Sequence, residues 1–182
     1  MLAHDETAEP VELSTATVAA LLRATLVALQ AEVSALTPAH LRWRPAPDAW
    51  CINEVIGHLI EAEQRGFAGR LRQILEHDHP RLEPWDQPAV ARARRDCERE
   101  ARELLQTFEQ LRTASIRLLE GLVPEQRARS GHHPVVGDIT VQDLLAEWVF
   151  HDRTHLQQIL DTVKALAWPH MGNCRKFTDP TA

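Results

Sequence analysis

The segment EWVFHDRTHLQQIL, residues 147–160, sets two histidines, His151 and His155, four residues apart. On a helix, residues at that spacing lie one above the other on a single face, so two imidazoles can grip one ion. Spacing alone does not select a metal site, because ten histidines in 182 residues make such pairs common by chance. Helix phase adds to it. At 100° per residue, Val141, Leu144, Leu145, Trp148, Val149, Leu156, Ile159, Leu160 and Val163 form an apolar stripe. Both histidines fall on its flank, with Leu144, Trp148 and Thr162. A buried imidazole needs hydrogen-bond partners or a metal, and on these residues both readings stay open.

A divalent ion in a functional site takes at least three protein ligands, and His58 is the good third candidate. It sits in EVIGHLIEAE on the flank that carries Val55, Ala62 and Gly66, where small residues leave room beside an imidazole. His4, His40, His77, His79, His132, His133 and His170 fall in the N-terminal tail or in loops and read as solvated. Three imidazoles from two helices would leave coordination positions open to water or substrate, the pattern of a catalytic site. The expected nucleophile is a metal-bound water. Glu147, one turn before His151, and Glu61, one turn after His58, are candidates for a general base or for acceptors behind the ligands. A surface role is the alternative for each.

The sequence H-D-R-T-H is not the H-E-x-x-H of a zinc protease. Asp152 points about 100° away from His151, into the apolar stripe. A buried carboxylate needs a partner, expected here to be a Trp indole, a backbone N–H of residues 42–51, or the guanidinium of Arg42 or Arg44. Trp50 and Trp148 read as anchors between helices. Cys51 is either a reactive thiol or an inert buried residue.

Four long helical patterns position these residues, at about 14–36, 52–76, 89–122 and 140–166. Ser14 reads as an N-cap, and Thr140 with Asp143 as a capping box. Prolines punctuate the connector 37–50 and the link HDHPRLEPWDQP, and EQRARSGHHPVVGDI reads as a longer loop. The predicted fold is all-α: one domain over 1–182, a four-helix bundle with irregular tails at 1–12 and 169–182.

Composition narrows the function classes. A net charge of −6 provides no basic surface for nucleic acid or an anionic membrane. The N-terminus has neither the basic nor the apolar region of a signal peptide, and no apolar run is expected to reach the length of a membrane span. Cys51, Cys97 and Cys174 are odd in number and far apart, which argues against a disulfide framework or a cysteine-rich zinc site. A cytoplasmic protein is the expectation.

APDAWCINEVIGHLIEAE, followed by HPVVGDITVQDLLAEWVFHDRTHLQQI, resembles the DinB/YfiT-like superfamily of small helical bundles. Trp50, the His58-Leu59 pair and H-D-x-x-H-L-x-Q-I carry the resemblance, which spans roughly residues 42–177. It implies an up-down-down-up bundle in which His58, His151 and His155 hold a divalent metal, zinc or nickel. It also implies a metal-dependent thiol S-transferase or hydrolase acting on a small molecule or a low-molecular-weight thiol, with two copies pairing through helix faces. A non-enzymatic bundle with a structural metal or none is the competing reading. Where the family has Ser or Thr after the tryptophan, this chain has Cys51, with Glu54 kept, so a weaker helix cap is expected. Asn173 and Cys174 stand where the family ending has Pro and an aromatic residue.

Overall fold

The computed structural model describes residues 11–179; the predicted tail 1–12 lies almost wholly outside them. Its helices are α1 (Thr15–Ser34), α2 (Pro38–Arg42), α3 (Ile52–Glu61), α4 (Ala68–Glu76), α5 (Gln87–Arg94), α6 (Ala101–Glu120) and α7 (Val141–Ala167). A hairpin of β1 (Ser130–His133) and β2 (Gly137–Thr140) precedes α7. Ser14 caps α1 by accepting from the Thr17 N–H, and Thr140 and Asp143 form the expected box at the start of α7.

Two apolar clusters fill the bundle and reveal its topology. One joins Val18 and Leu22 of α1, Leu71 and Ile74 of α4, Ile116 and Leu119 of α6, and Leu144 and Trp148 of α7. The other joins Leu29 and Val33 of α1, Ile52 and Ile56 of α3, Leu104 and Phe108 of α6, and Ile159 of α7. The start of α1 and α7 thus shares an end with the finish of α4 and α6. The order is up-down-down-up, as the resemblance implies, with α1 and α3 each packed on α6 and α7.

That topology makes the second and third long helices parallel. The chain must therefore travel back the length of the bundle between residues 77 and 100, as parallel neighbours require. This corrects the reading of 89–122 as one helix. The return segment contains α5, a left-handed turn at Arg95 (φ 51°), and a 3₁₀ turn at Asp96–Glu98 before α6 begins. It is pinned to α3 at Gly57, where a Cβ would sit 1.8 Å from the Asp96 carboxylate, and by an Asn53 Nδ2 bond to the Arg99 carbonyl of 2.9 Å.

Other elements differ from the sequence reading in smaller ways. The helix expected over 52–76 contains a π turn, Ala62–Phe67. Gly69 makes room for it, since a Cβ there would meet the Gln64 carbonyl at 2.1 Å. The long loop before α7 is the hairpin, joined to the return segment by reciprocal backbone bonds between Pro80, Leu82 and His132. The 37–50 connector winds α2, and the C-terminal tail winds 3₁₀ turns at Trp168–His170 and Gly172–Phe177. Against expectation, α1 is long and apolar enough to cross a membrane by length and composition. Within the fold its Val18, Leu22, Leu26, Leu29 and Val33 are buried in the core.

Candidate metal centre

Midway along the bundle, α3 presents His58 and α7 presents His151 and His155 to one point. His58 Nε2 lies 2.9 Å from His151 Nε2, and ligand atoms from all three rings fall within 4.8 Å of one another. The His155 ring centroid is 4.4 Å from each of the other two. Nitrogens sharing one tetrahedral divalent ion stand about 3.3 Å apart at ordinary bond lengths, so this spread suits such an ion.

The protonation states fit as well. Burial, then the neighbouring His155, pushes His58 and His151 down to about 3, so both are neutral with lone pairs available at pH 7. His155 Nδ1 lies 2.9 Å from Gln158 Oε1. An amide oxygen only accepts, so Nδ1 carries the proton and Nε2 the lone pair. His151 Nδ1 is buried with no hydrogen-bond partner among the described residues. Three neutral imidazoles, with one tautomer fixed from behind, are a donor set that could hold a metal ion.

Aromatic rings enclose the cluster. Trp50 packs 5.2 Å from the His58 ring and stacks at 6.4 Å on His155. Trp85, carried by the return segment, stacks at 6.1 Å on the His58 ring. Phe67 of the π turn meets His151 edge-on at 5.1 Å. Trp50 is therefore a wall of the site rather than only an anchor between helices. Trp85, to which the sequence assigned nothing, is brought here by the crossover.

The two candidate carboxylates separate. Glu61 accepts from Arg65 Nε at 2.6 Å and Arg94 Nη1 at 2.7 Å. Burial would raise its pKa, but these two guanidinium bonds outweigh burial and hold it below the ordinary range. Glu61 locks the return segment to α3 and is poorly suited to accept a proton. Glu147 is exposed and lines a cavity of about 260 Å³ that also reaches His151.

Asp152 is buried as expected, but its partner differs. Arg112 of α6 makes a bidentate pair with it, Nη1–Oδ2 at 2.5 Å and Nη2–Oδ1 at 3.0 Å. The same guanidinium donates to Glu63 Oε1 and to the Leu22 carbonyl, while Ser115 and the Trp148 indole also donate to Glu63. Arg42 and Arg44 are on the surface, pairing with Glu100 and Glu54. Arg112 escaped notice because one polar residue on a charged helix reads as solvent-facing. Its signal is its place one turn after Phe108 and one turn before Ile116.

Two further readings change. Cys51 and Cys97, far apart in sequence, bring their Sγ atoms to 2.6 Å, and burial together with that contact raises the Cys51 thiol pKa. The Cys51 backbone N–H donates to Glu54 Oε2, so the Glu54 half of the cap on α3 is kept. His133, read as a solvated loop residue, is buried on β1.

The DinB superfamily model matches residues 21–159. The chain is 22% identical over 141 residues to the Bacillus subtilis (strain 168) protein named "Putative metal-dependent hydrolase YfiT", which covers 77% of this chain and 79% of that one. It is 24% identical over 140 residues to a Bacillus pumilus (strain SAFR-032) protein named "Putative metal-dependent hydrolase", covering 76% and 79%. The solved structure of YfiT from Bacillus subtilis, described as "a probable metal-dependent hydrolase with an unusual four-helix bundle topology", superposes with a TM-score of 0.78 at 20% identity. That match covers 88% of this chain and 94% of the other.

Proposed function

We propose that this chain, which belongs to the DinB superfamily, is a metal-dependent hydrolase of a small molecule in which His58, His151 and His155 hold one divalent ion. The observation that carries the reading is the convergence of three neutral imidazole nitrogens from two helices on one enclosed point. The relatives' names support hydrolysis. When bound, such an ion supplies Lewis acidity, which lowers the proton affinity of an oxygen or sulfur nucleophile near neutral pH.

The protein's own groups do the rest. Gln158 holds the proton of His155 on Nδ1, which leaves Nε2 directed to the centre. Trp50 and Trp85 pack on His58 and help keep bulk water from the buried ring, which strengthens the polar interactions around it. Glu147, without an ion pair among the described residues, lines the cavity that reaches His151, which supports a role for its carboxylate in taking a proton there.

Zinc or nickel suits a three-imidazole donor set. Protein purified without a histidine tag should carry about one equivalent of metal, and His155→Ala should reduce it severalfold. Less than about half an equivalent, with no loss in the variant, overturns the assignment. Hydrolysis of a panel of small esters and amides should stop on chelation and resume on adding metal. Thiol transfer would use the same ligands, so repeating the panel with a low-molecular-weight thiol present tells the two apart by whether the product carries sulfur.

A further inference from the structure

The arginines withdrawn from solvent follow a rule with one exception. Arg94, Arg99, Arg112, Arg127, Arg153 and Arg175 each donate to a carboxylate, amide or backbone carbonyl. Arg70, half-buried on α4, makes no hydrogen bond or ion pair among the described residues, and its Nε is closed off from solvent without a partner. Burial lowers its pKa, and Glu147 offsets this only through space, with no ion pair between them. An uncompensated guanidinium costs stability unless something else accepts from it.

Arg70 lines the cavity of about 260 Å³ that reaches His151. His133 lines it too. The Val135 N–H donates to His133 Nδ1 at 3.3 Å, so His133 carries its own proton on Nε2, a second donor without a described partner. Phe67, Trp85 and Ile139 give the cavity apolar lining, and Glu147 lines it as well. Gly66, one turn before Arg70, keeps the floor open, since a Cβ there would meet nothing nearer than Ala62 Cβ at 3.9 Å.

Resting on the metal-centre reading above, we propose that this cavity binds the substrate through an oxyanion, a carboxylate or phosphate group held by Arg70 with His133 beside it. The apolar body of the substrate would lie against Phe67 and Trp85, and its reacting bond would face His151. A guanidinium fork matches a carboxylate or phosphate edge with two parallel N–H bonds, which fixes orientation as well as affinity. The chain is acidic overall, and within this cavity Glu147 acts on Arg70 only through space, so the guanidinium keeps its donors free for a ligand.

Benzoate, phenyl phosphate and the neutral benzamide serve as probes, titrated into metal-free and zinc-loaded protein and followed by tryptophan fluorescence and calorimetry. Saturable binding of benzoate or phenyl phosphate is expected, with benzamide weaker by about tenfold or more. Whichever anion binds tighter identifies the group as carboxylate or phosphate. Arg70→Gln should weaken anion binding by at least about tenfold, with the melting temperature of the ligand-free protein not lowered and zinc content unchanged, and Arg70→Lys should recover part of it. Equal binding of benzamide and benzoate, or unchanged anion affinity in Arg70→Gln, overturns the proposal. Zinc content is measured on the same samples. Absence of zinc sinks the metal reading alone, since the titration of metal-free protein still decides the role of Arg70.

Discussion

Two buried polar clusters lie at the same height in the bundle, and they are built on opposite terms. In the Glu63–Arg112–Asp152 network nearly every polar atom faces a partner of opposite character, drawn from all four long helices, including the Leu22 carbonyl of α1. In the cluster of His58, His151 and His155 imidazole faces imidazole: His58 Nε2 and His151 Nε2 have only each other as partners, and His151 Nδ1 has none among the described residues. The first cluster satisfies itself and sets the register of the helices. The second is stable only on terms that an added cation improves. Asp152 follows His151 directly, so the network that fixes Asp152 also fixes where α7 aims its imidazoles.

The largest effect should come from the self-satisfied cluster. Arg112→Ala leaves two carboxylates buried without their cation and should cost about 3–5 kcal/mol of stability, read from denaturant unfolding. Replacing Glu63, Arg112 and Asp152 together by apolar residues of similar volume should recover most of that loss, because the charges vanish as a set. If Arg112→Ala unfolds with unchanged midpoint and slope, the two clusters are not the opposites described here.

Metal should act on the other cluster alone. At a free metal concentration one hundred times Kd, the protein should gain about 2.7 kcal/mol over its chelated form. His58→Ala should abolish that gain, whatever the chelated protein loses with the buried ring that bonds His151 and packs on Trp50 and Trp85. Equal metal-dependent stabilisation in His58→Ala would erase the distinction.

The two clusters should also part in their response to acid. His58 and His151 have folded pKa values near 3, below the 6.5 of an exposed imidazole. Between these values the unfolded chain binds more protons than the folded one, so stability falls as pH is lowered from about 6.5. Each imidazole adds at most about 1.4 kcal/mol per pH unit in that window. Chelated wild-type protein should lose stability between pH 6.5 and 5 more steeply than the His58→Gln, His151→Gln double variant.

The sequence made the two clusters legible to different depths, for a physical reason. His151 and His155 share one helix, so local periodicity places them, and His58 needed only a second amphipathic helix with small neighbours. Asp152 could be read as buried from its phase, but Arg112 comes from a helix 40 residues away whose charged face hides it. Trp85, Arg70 and His133 owe their places to the crossover, the π turn and the hairpin. The crossover is a long-range consequence of packing two helices parallel, the hairpin is held to that crossover by backbone bonds of Pro80 and Leu82 to His132, and the π turn depends on a carbonyl passing close to Gly69. None of these has a strong local signal. The four helices were legible, and the break near Arg95 was not, because only the return path demands it.

The smallest expected effect probes the one place where the histidine cluster behaves like its neighbour. Gln158 satisfies His155 Nδ1 from one turn ahead on α7, in the H-L-x-Q segment, and so selects the tautomer whose Nε2 faces the other rings. Gln158→Leu preserves helix propensity and side-chain size but removes the acceptor, so the proton can sit on either nitrogen. Metal affinity should fall about tenfold, the low end for losing a group behind a ligand. Gln158→Glu, which keeps the acceptor and adds charge, should hold or raise the affinity. The unfolding midpoint of the chelated protein should move little in either variant, because the half-buried amide carries no part of the ionic network. Were Gln158→Leu to lower stability without touching metal affinity, His155 would belong with the structural cluster, and the boundary between the two would lie inside α7.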